Sequence, residues 1–352
     1  MEYLLKNSIY INQLKISSEL SIDWSRLRSK TILISGASGM LGLYLTHLFM
    51  LRNEQHGDGI KIIAMARNEE KARIRFGRYW NDKYFKFIKG DVNEPFQFDE
   101  DCDYIIHAAS NTHPIQYSTD PIGTINTNII GTKNLLDYAK SHNTKRLVFL
   151  SSVEIYGENR GDTDKFSEDY CGYIDCNTLR AGYSESKRVG EALCQAYISA
   201  QNLDIVIPRI SRTYGPTMQM SDSKAIAQFI KKAVNGEDII LKSEGNQRYS
   251  YSYVADSVSA ILYIMLNGKS GMAYNVADEN SDIALKELAK MIADIAGIKV
   301  LYEMPDAKEQ LGYSKATKAT LDPKRLQELG WSSMYDIEKG LNETLDILKG
   351  LN

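Results

Sequence analysis

Over the first 210 positions, apolar residues fall into short unbroken runs separated by longer stretches of mixed character. TILIS (31–35), IKIIAMA (60–66), FKFIKGD (85–91), DYIIHAA (103–109), RLVFLSS (146–152) and LDIVIPRI (203–210) are short and mostly rich in β-branched residues. Continuous apolar runs of this length fit strands covered on both faces. LGLYLTHLFMLR after Gly39, and the stretches 68–80, 121–142 and 182–202, read as the helices between them. This alternation predicts the α/β class: a Rossmann-type, doubly wound parallel sheet over residues 30–210. From 211 the regularity loosens. Helices are expected at 222–235, 255–267, 284–296 and 322–330, in a smaller C-terminal α/β substrate lobe spanning 211–352, with some segments returning to the sheet. Residues 1–29 lack Gly and Pro punctuation and lead into Arg26, Arg28 and Lys30. They form an N-terminal extension, read as a short helix or a packed arm, with a flexible tail as the alternative.

Composition narrows the function classes. A chain of 352 residues buries roughly 75% of its unfolded surface, enough for a large core. With 43% hydrophobic and 25% charged residues, disorder is excluded as the main state. The 42 basic residues against 45 acidic ones argue against nucleic acid as the partner. No apolar run approaches the roughly 20 residues of a membrane span, so no membrane association is expected. Cys102, Cys171, Cys176 and Cys194 form no CxxC pair, which predicts neither a metal site nor a disulfide framework. A reduced, cytoplasmic chain is the expectation.

Two motifs carry chemistry. GASGMLG, with Gly36, Ser38, Gly39, Met40, Leu41 and Gly42, lies between a buried strand and a helix. That context suits a dinucleotide: small residues let a pyrophosphate approach backbone N–H groups at a helix N-terminus. NAD is the expected cofactor. The second strand ends in Arg67 rather than in the acidic residue that meets the NAD ribose. Arg67 could accept the extra phosphate of NADP, stack on adenine or face solvent. Asp91 is placed to meet the adenine amino group. The second motif is Tyr183-Ser-Glu-Ser-Lys187, whose i,i+4 spacing sets a phenol and an ammonium on one helical face. The cation would lower the phenol's pKa and make it a usable base for alcohol oxidation.

GASGMLG, HAAS (107–110), SSVEIYG (151–157), YSESK (183–187) and RTYGP (212–216) together resemble the extended short-chain dehydrogenase/reductases, from residue 30 to about 345. Those enzymes are mostly nucleotide-sugar epimerases, dehydratases and decarboxylases. The resemblance implies Ser152, Tyr183 and Lys187 as a catalytic triad, Lys187 also holding the nicotinamide ribose, and Asn128 in support. Val92, Ala108, Ala109 and Ser110 fall among the cofactor-contacting positions. A homodimer built from two helices per subunit is also implied.

Within the family, Ser152-Val153-Glu154 lacks the Asp-Glu pair of sugar 4,6-dehydratases and is more like the loop of UDP-glucuronate decarboxylases. Glu154 would position the sugar ring or handle protons at C5. SEDYCGYIDCNTLRAGYSESK and TMQMSDSKAIAQFI are similar to decarboxylase segments. The resemblance gives Arg180 and Arg248 to the substrate and puts Lys318 where decarboxylases place an arginine. Arg212 stands in place of an asparagine, and Thr217 in place of an arginine. His113 is read as a substrate or loop contact. The substrate expected is a nucleotide-diphosphate sugar, UDP-linked and oxidised at C4. A 4,6-dehydratase, a C4 or C5 epimerase, a net reductase and a silent NAD(P)-binding protein stay open.

Overall fold

The computed structural model describes residues 4–96, 98–112, 114–303 and 317–351. Its main sheet is formed by β1 (Thr31–Ser35), β2 (Lys61–Ala66), β3 (Phe85–Lys89), β4 (Tyr104–His107), β5 (Arg146–Phe149), β6 (Ser151–Ser152), β7 (Ile205–Ile210) and one later strand, Ala273–Val276. The order is β3-β2-β1-β4-β5-β7-(Ala273–Val276), with β6 also on β7, and every pairing is parallel. The order reverses direction between β1 and β4, the switch point at which ligands of open α/β sheets bind.

Helices α1 (Ser8–Ser18), α2 (Met40–His56), α3 (Glu69–Phe76), α4 (Pro114–Thr119), α5 (Pro121–Ser141) and α6 (Ala181–Gln201) precede the lobe. The expected helix at 68–80 stops at Phe76 because Gly77 takes φ +52°; a 3-10 turn, Gly77–Asn81, follows. The N-terminal segment is the packed alternative. Tyr10 and Leu14 of α1 are fully buried, and Tyr10 Oη lies 2.9 Å from His47 Nδ1 on α2.

The remaining strands are β8 (Arg212–Tyr214), β9 (Ile239–Leu241), β10 (Arg248–Tyr253), β11 (Ala273–Val276, the strand that joins the main sheet), β12 (Asp282–Ala284), β13 (Val300–Tyr302) and β14 (Lys318–Ala319). β10 is the centre of a small sheet, flanked by β8, β12 and β14, while β9 pairs with β13. Its sequence RYSYSY buries everything after Arg248. Helices α7 (Ala225–Val234) and α9 (Leu285–Ala296) cover this lobe, and α8 (Val254–Asn267) is buried along nearly its whole length. The expected helix at 322–330 is only the short Lys324–Gln327. A further helix, Ile337–Lys349, begins at an Asp336 cap and buries Ile337, Leu341, Leu345 and Leu348. Its i,i+4 spacing carries the amphipathic signal.

Candidate active site

A cavity of about 610 Å3 runs from the end of β1 to the lobe, within the roughly 300–1,000 Å3 of small-molecule sites. Gly36, Gly39, Met40, Leu41 and Gly42 line one end; Ser110, Ser152, Glu154, Tyr183, Lys187, Arg180 and Arg212 line the middle. The local backbone explains the glycines. Gly36 takes φ +67°, and a Cβ there would sit 2.7 Å from the Ala108 carbonyl and the Ala109 backbone. A Cβ on Gly42 would meet the Gly36 carbonyl at 2.7 Å. The strand-turn-helix joint therefore closes only with glycine at positions 36 and 42. Gly39 caps α2 with no side-chain hydrogen bond, leaving amide donors for an anion.

Asn128 of α5 is a hydrogen-bond hub linking Ser110 to α6. It is fully buried; its Oδ1 accepts from Ser110 Oγ at 2.8 Å, and its Nδ2 donates to Ser186 Oγ at 2.9 Å. Ser186 in turn donates to the Tyr183 carbonyl at 2.9 Å. Thr132 Oγ1 donates to the Asn128 carbonyl at 2.6 Å, so the 3.1 Å contact to His107 Nε2 uses the histidine proton. His107 Nδ1 then accepts from Ser35 Oγ at 2.8 Å. Burial, with Lys187 nearby, pushes His107 down to about 3 and keeps it neutral. The strand ends of β1 and β4 are thus tied to α5 and α6 through side chains with defined donor directions.

Tyr183 and Lys187 share the buried face of α6. The Ser152 and Ser110 hydroxyls act to lower the Tyr183 phenol's pKa. Burial nevertheless pushes its phenol up to about 12, and the Glu154 charge raises it further. This corrects the expectation of a phenol lowered by Lys187. The ammonium is itself buried, pushed down to about 8, and its Nζ donates to the Leu150 carbonyl at 2.8 Å. Its charge is spent on that carbonyl and on the Phe149 ring 5.0 Å away. Glu191, which favours the lysine's charge, is gripped by Arg209 at 2.7 and 3.0 Å.

Glu154 faces two arginines: Arg212 Nη2 is 3.5 Å from Oε1 and Arg180 Nη2 is 3.9 Å from Oε2. The Arg212 guanidinium lies 3.6 Å from the Tyr249 ring centroid, a cation–π contact. Val153 beside Glu154 is buried.

Other expected contacts lie outside this lining. Arg67 is 3.9 Å from Asp91, with 61% of its side chain exposed. Val92 is buried against Gly131, Ala109 N donates to Ser35 Oγ at 3.3 Å, and Ser38 stays in the turn before α2. Arg248 and Lys318 are register partners across β10 and β14. Arg248 donates to the Asp282 carbonyl at 2.6 Å, and Lys318 pairs with the exposed Asp164 at 3.0 Å. Neither lines the cavity. Thr217 donates to the Met40 carbonyl at 3.0 Å and accepts from Arg75 at 2.7 Å, joining the loop after β8 to the start of α2. His113 lies outside the described residues.

Two aromatic residues were not legible as site residues. Tyr117 of α4 stacks on Tyr183, with ring centroids 4.7 Å apart and planes at 23°. Tyr249 carries Arg212. The period-2 run Tyr249, Tyr251, Tyr253 signals a buried strand face, but not that its first ring serves a guanidinium. Among the described residues no group of His, Cys, Asp and Glu is arranged to hold a metal ion, and no helix is long and apolar enough to cross a membrane.

The UDP-glucuronic acid decarboxylase 1 of Xenopus tropicalis is 32% identical over 319 residues, spanning 90% of this chain and 71% of that protein. Two crystal structures share the fold. The dTDP-glucose 4,6-dehydratase of Bacillus anthracis, in complex with NAD, has a TM-score of 0.75 at 22% identity over 91% of this chain and 97% of its own. The UDP-glucose 4-epimerase of Thermotoga maritima, with UDP-glucose, has 0.77 at 20% identity over 91% and 99%. The model of the NAD dependent epimerase/dehydratase family matches residues 32–277. With a glycine turn at the head of α2 and Ser152, Tyr183 and Lys187 lining the same cavity, the chain belongs to the NAD dependent epimerase/dehydratase family of extended short-chain dehydrogenase/reductases.

Proposed function

We propose that this protein is an NAD-dependent decarboxylase of a UDP-linked uronate sugar. One observation carries the reading: a single cavity joins the glycine turn, the Ser152–Tyr183–Ser110 hydroxyl group and a carboxylate held beside two arginines. Residues 30–210 supply the cofactor side, and the lobe after 211 supplies most of the substrate side.

The uncapped start of α2 fits the NAD pyrophosphate, and Arg67 with Asp91 would meet the adenosine end. Bound there, NAD+ would supply reversible hydride-acceptor chemistry at C4 of the sugar and a positive charge beside Tyr183. Tyr183 takes the proton of the 4-hydroxyl, for which its pKa must fall from the raised value that burial imposes. Ser152 shares the hydrogen bond to that oxygen, and Ser110 holds the phenol's orientation from the Asn128 side. Lys187 adds positive charge beneath the site. The 4-keto-uronate is a β-keto acid. Its C5–C6 bond breaks with the electron pair flowing into the C4 carbonyl, and carbon dioxide leaves. A proton is then delivered to C5, for which Glu154 is a carboxylate lining the cavity beside Arg180 and Arg212.

Incubation with UDP-glucuronate and NAD+, followed by mass spectrometry, tests the reading. Loss of carbon dioxide with a UDP-pentose product is expected. Unchanged UDP-glucuronate, together with turnover of a neutral UDP-hexose, would reassign the chain to dehydration or epimerisation.

The same reading includes a homodimer through α5 and α6. These helices pack on each other and leave Ile122, Ile130 and Val189 exposed. Sedimentation should give twice the chain mass, and Ile122→Glu should lower it. The free, exposed Cys171 and Cys176 fit a reducing compartment such as the cytoplasm.

A further inference from the structure

We infer that Arg212 is the residue that selects a charged sugar, by receiving the C6 carboxylate of the substrate together with Arg180. The inference rests on the uronate reading and adds to it the side chain that enforces the choice.

Four cations were expected on the substrate, and the fold separates them. Arg248 and Lys318 are engaged on Asp282, Glu287 and Asp164 away from the cavity lining. Arg180 and Arg212 line the cavity, on either side of Glu154. Lys318, the residue that sequence pattern would put on the carboxylate, is therefore poorly placed for it, and Arg212 is well placed.

The Arg212 guanidinium is held but not saturated. Tyr249 fixes its plane at 3.6 Å, and only 19% of the side chain is exposed. Its contact with Glu154 is 3.5 Å, longer than the roughly 2.7–2.9 Å of a charge-assisted hydrogen bond. The side chain lines the cavity, where a second carboxylate would meet it. Two guanidinium groups and one glutamate leave one positive charge in excess, and a planar fork pairs with a carboxylate through two parallel bonds. A neutral hydroxymethyl group at C6 would leave the excess charge in place. Such uncompensated polar groups are the strongest means a site has of rejecting a near-isostere.

The diphosphate is the other anionic part of the substrate, and the test separates the two. Calorimetric titrations of the full chain saturated with NADH would compare UDP-glucuronate, UDP-glucose and UDP. The wild type should prefer UDP-glucuronate to UDP-glucose by about tenfold or more, equivalent to about 1.4 kcal/mol. Arg212→Gln should reduce that preference to about twofold while leaving UDP and UDP-glucose unchanged, and Arg212→Lys should retain part of it. Thermal unfolding of both variants shows that the fold is intact; Arg212→Lys keeps the test valid should the glutamine variant not fold. A preference that survives both substitutions overturns the role of Arg212 and leaves the uronate reading standing. Equal weakening toward all three ligands moves Arg212 to the diphosphate and overturns the inference. A wild type that does not prefer UDP-glucuronate overturns the uronate reading itself, and the inference with it.

Discussion

On the floor of the cavity, hydrogen bonds of 2.6–3.1 Å run from Ser35 through His107, Thr132 and Asn128 to Ser110, and from Asn128 through Ser186 to the Tyr183 carbonyl. In the same cavity, Glu154 stands 3.5 and 3.9 Å from its two arginines. Apart from the half-buried Ser110, the floor is buried, and each of its hydroxyls is paired. The Glu154 group is looser and carries excess positive charge. Chemistry common to many substrates needs the first arrangement, because a proton-transferring phenol must be held in one place. Choice among substrates needs the second, because only unsatisfied groups can respond to what a ligand brings.

The sharpest way to break this contrast is at Tyr183. Replacing it with Phe should lower product formation by at least about 10^3-fold, the scale of a lost general base, with NAD+ affinity unchanged by calorimetry. Retained turnover would remove the floor from the chemistry. Next is Lys187, whose buried amine is pushed down to about 8. Between pH 8 and 10.5 the unfolded chain binds the extra proton, so this residue's contribution to stability rises with pH; below pH 8 the full burial cost is present. The unfolding free energy of wild type relative to Lys187→Met should therefore climb by roughly 2–3 kcal/mol across that window, read from urea midpoints. A flat difference would show that the lysine is not buried as described.

Asn128→Ala strands Ser110 and Ser186. A loss of about 2 kcal/mol is expected in urea unfolding, with kcat falling more than KM rises. An unchanged midpoint would mean that the floor is not the rigid part. Tyr117→Leu removes the stack on Tyr183, a contact of about 1 kcal/mol, and should change kcat by less than about tenfold. The smallest effect is predicted at Arg67, an exposed side chain in a 3.9 Å pair. Arg67→Ala should change NAD+ affinity by no more than about threefold, as for other surface pairs. A much larger loss would extend the rigid region to the adenosine end.

How much of this was legible varies with the range of the interaction. The strands were readable because a doubly covered strand must be apolar throughout, and GASGMLG because the bend after β1 cannot accommodate side chains at positions 36 and 42. Tyr183 and Lys187 were readable as a pair because four residues make about one helical turn. Helix 69–76 ended early at Gly77, where a positive φ overrode a charged, helix-compatible run. The helix 337–349 has a regular apolar stripe but lies outside the helices expected after residue 211.

Local pattern thus determined the α/β architecture, the glycine turn and the Tyr183–Lys187 pair, since each depends on spacing within a strand, a turn or one helical face; Ser152 joined them only through the resemblance to known proteins. Only the tertiary structure decided the electrostatics. Burial raised the Tyr183 phenol where an adjacent lysine suggested the reverse, because Lys187 is turned to the Leu150 carbonyl in the same dry interior. The tertiary structure also sorted the cations, keeping Arg180 and Arg212 in the cavity and drawing Arg248 and Lys318 to carbonyl and carboxylate partners on neighbouring strands. A charge's effect depends on which dipoles and counter-ions distant segments bring to it, and no spacing along the chain encodes that.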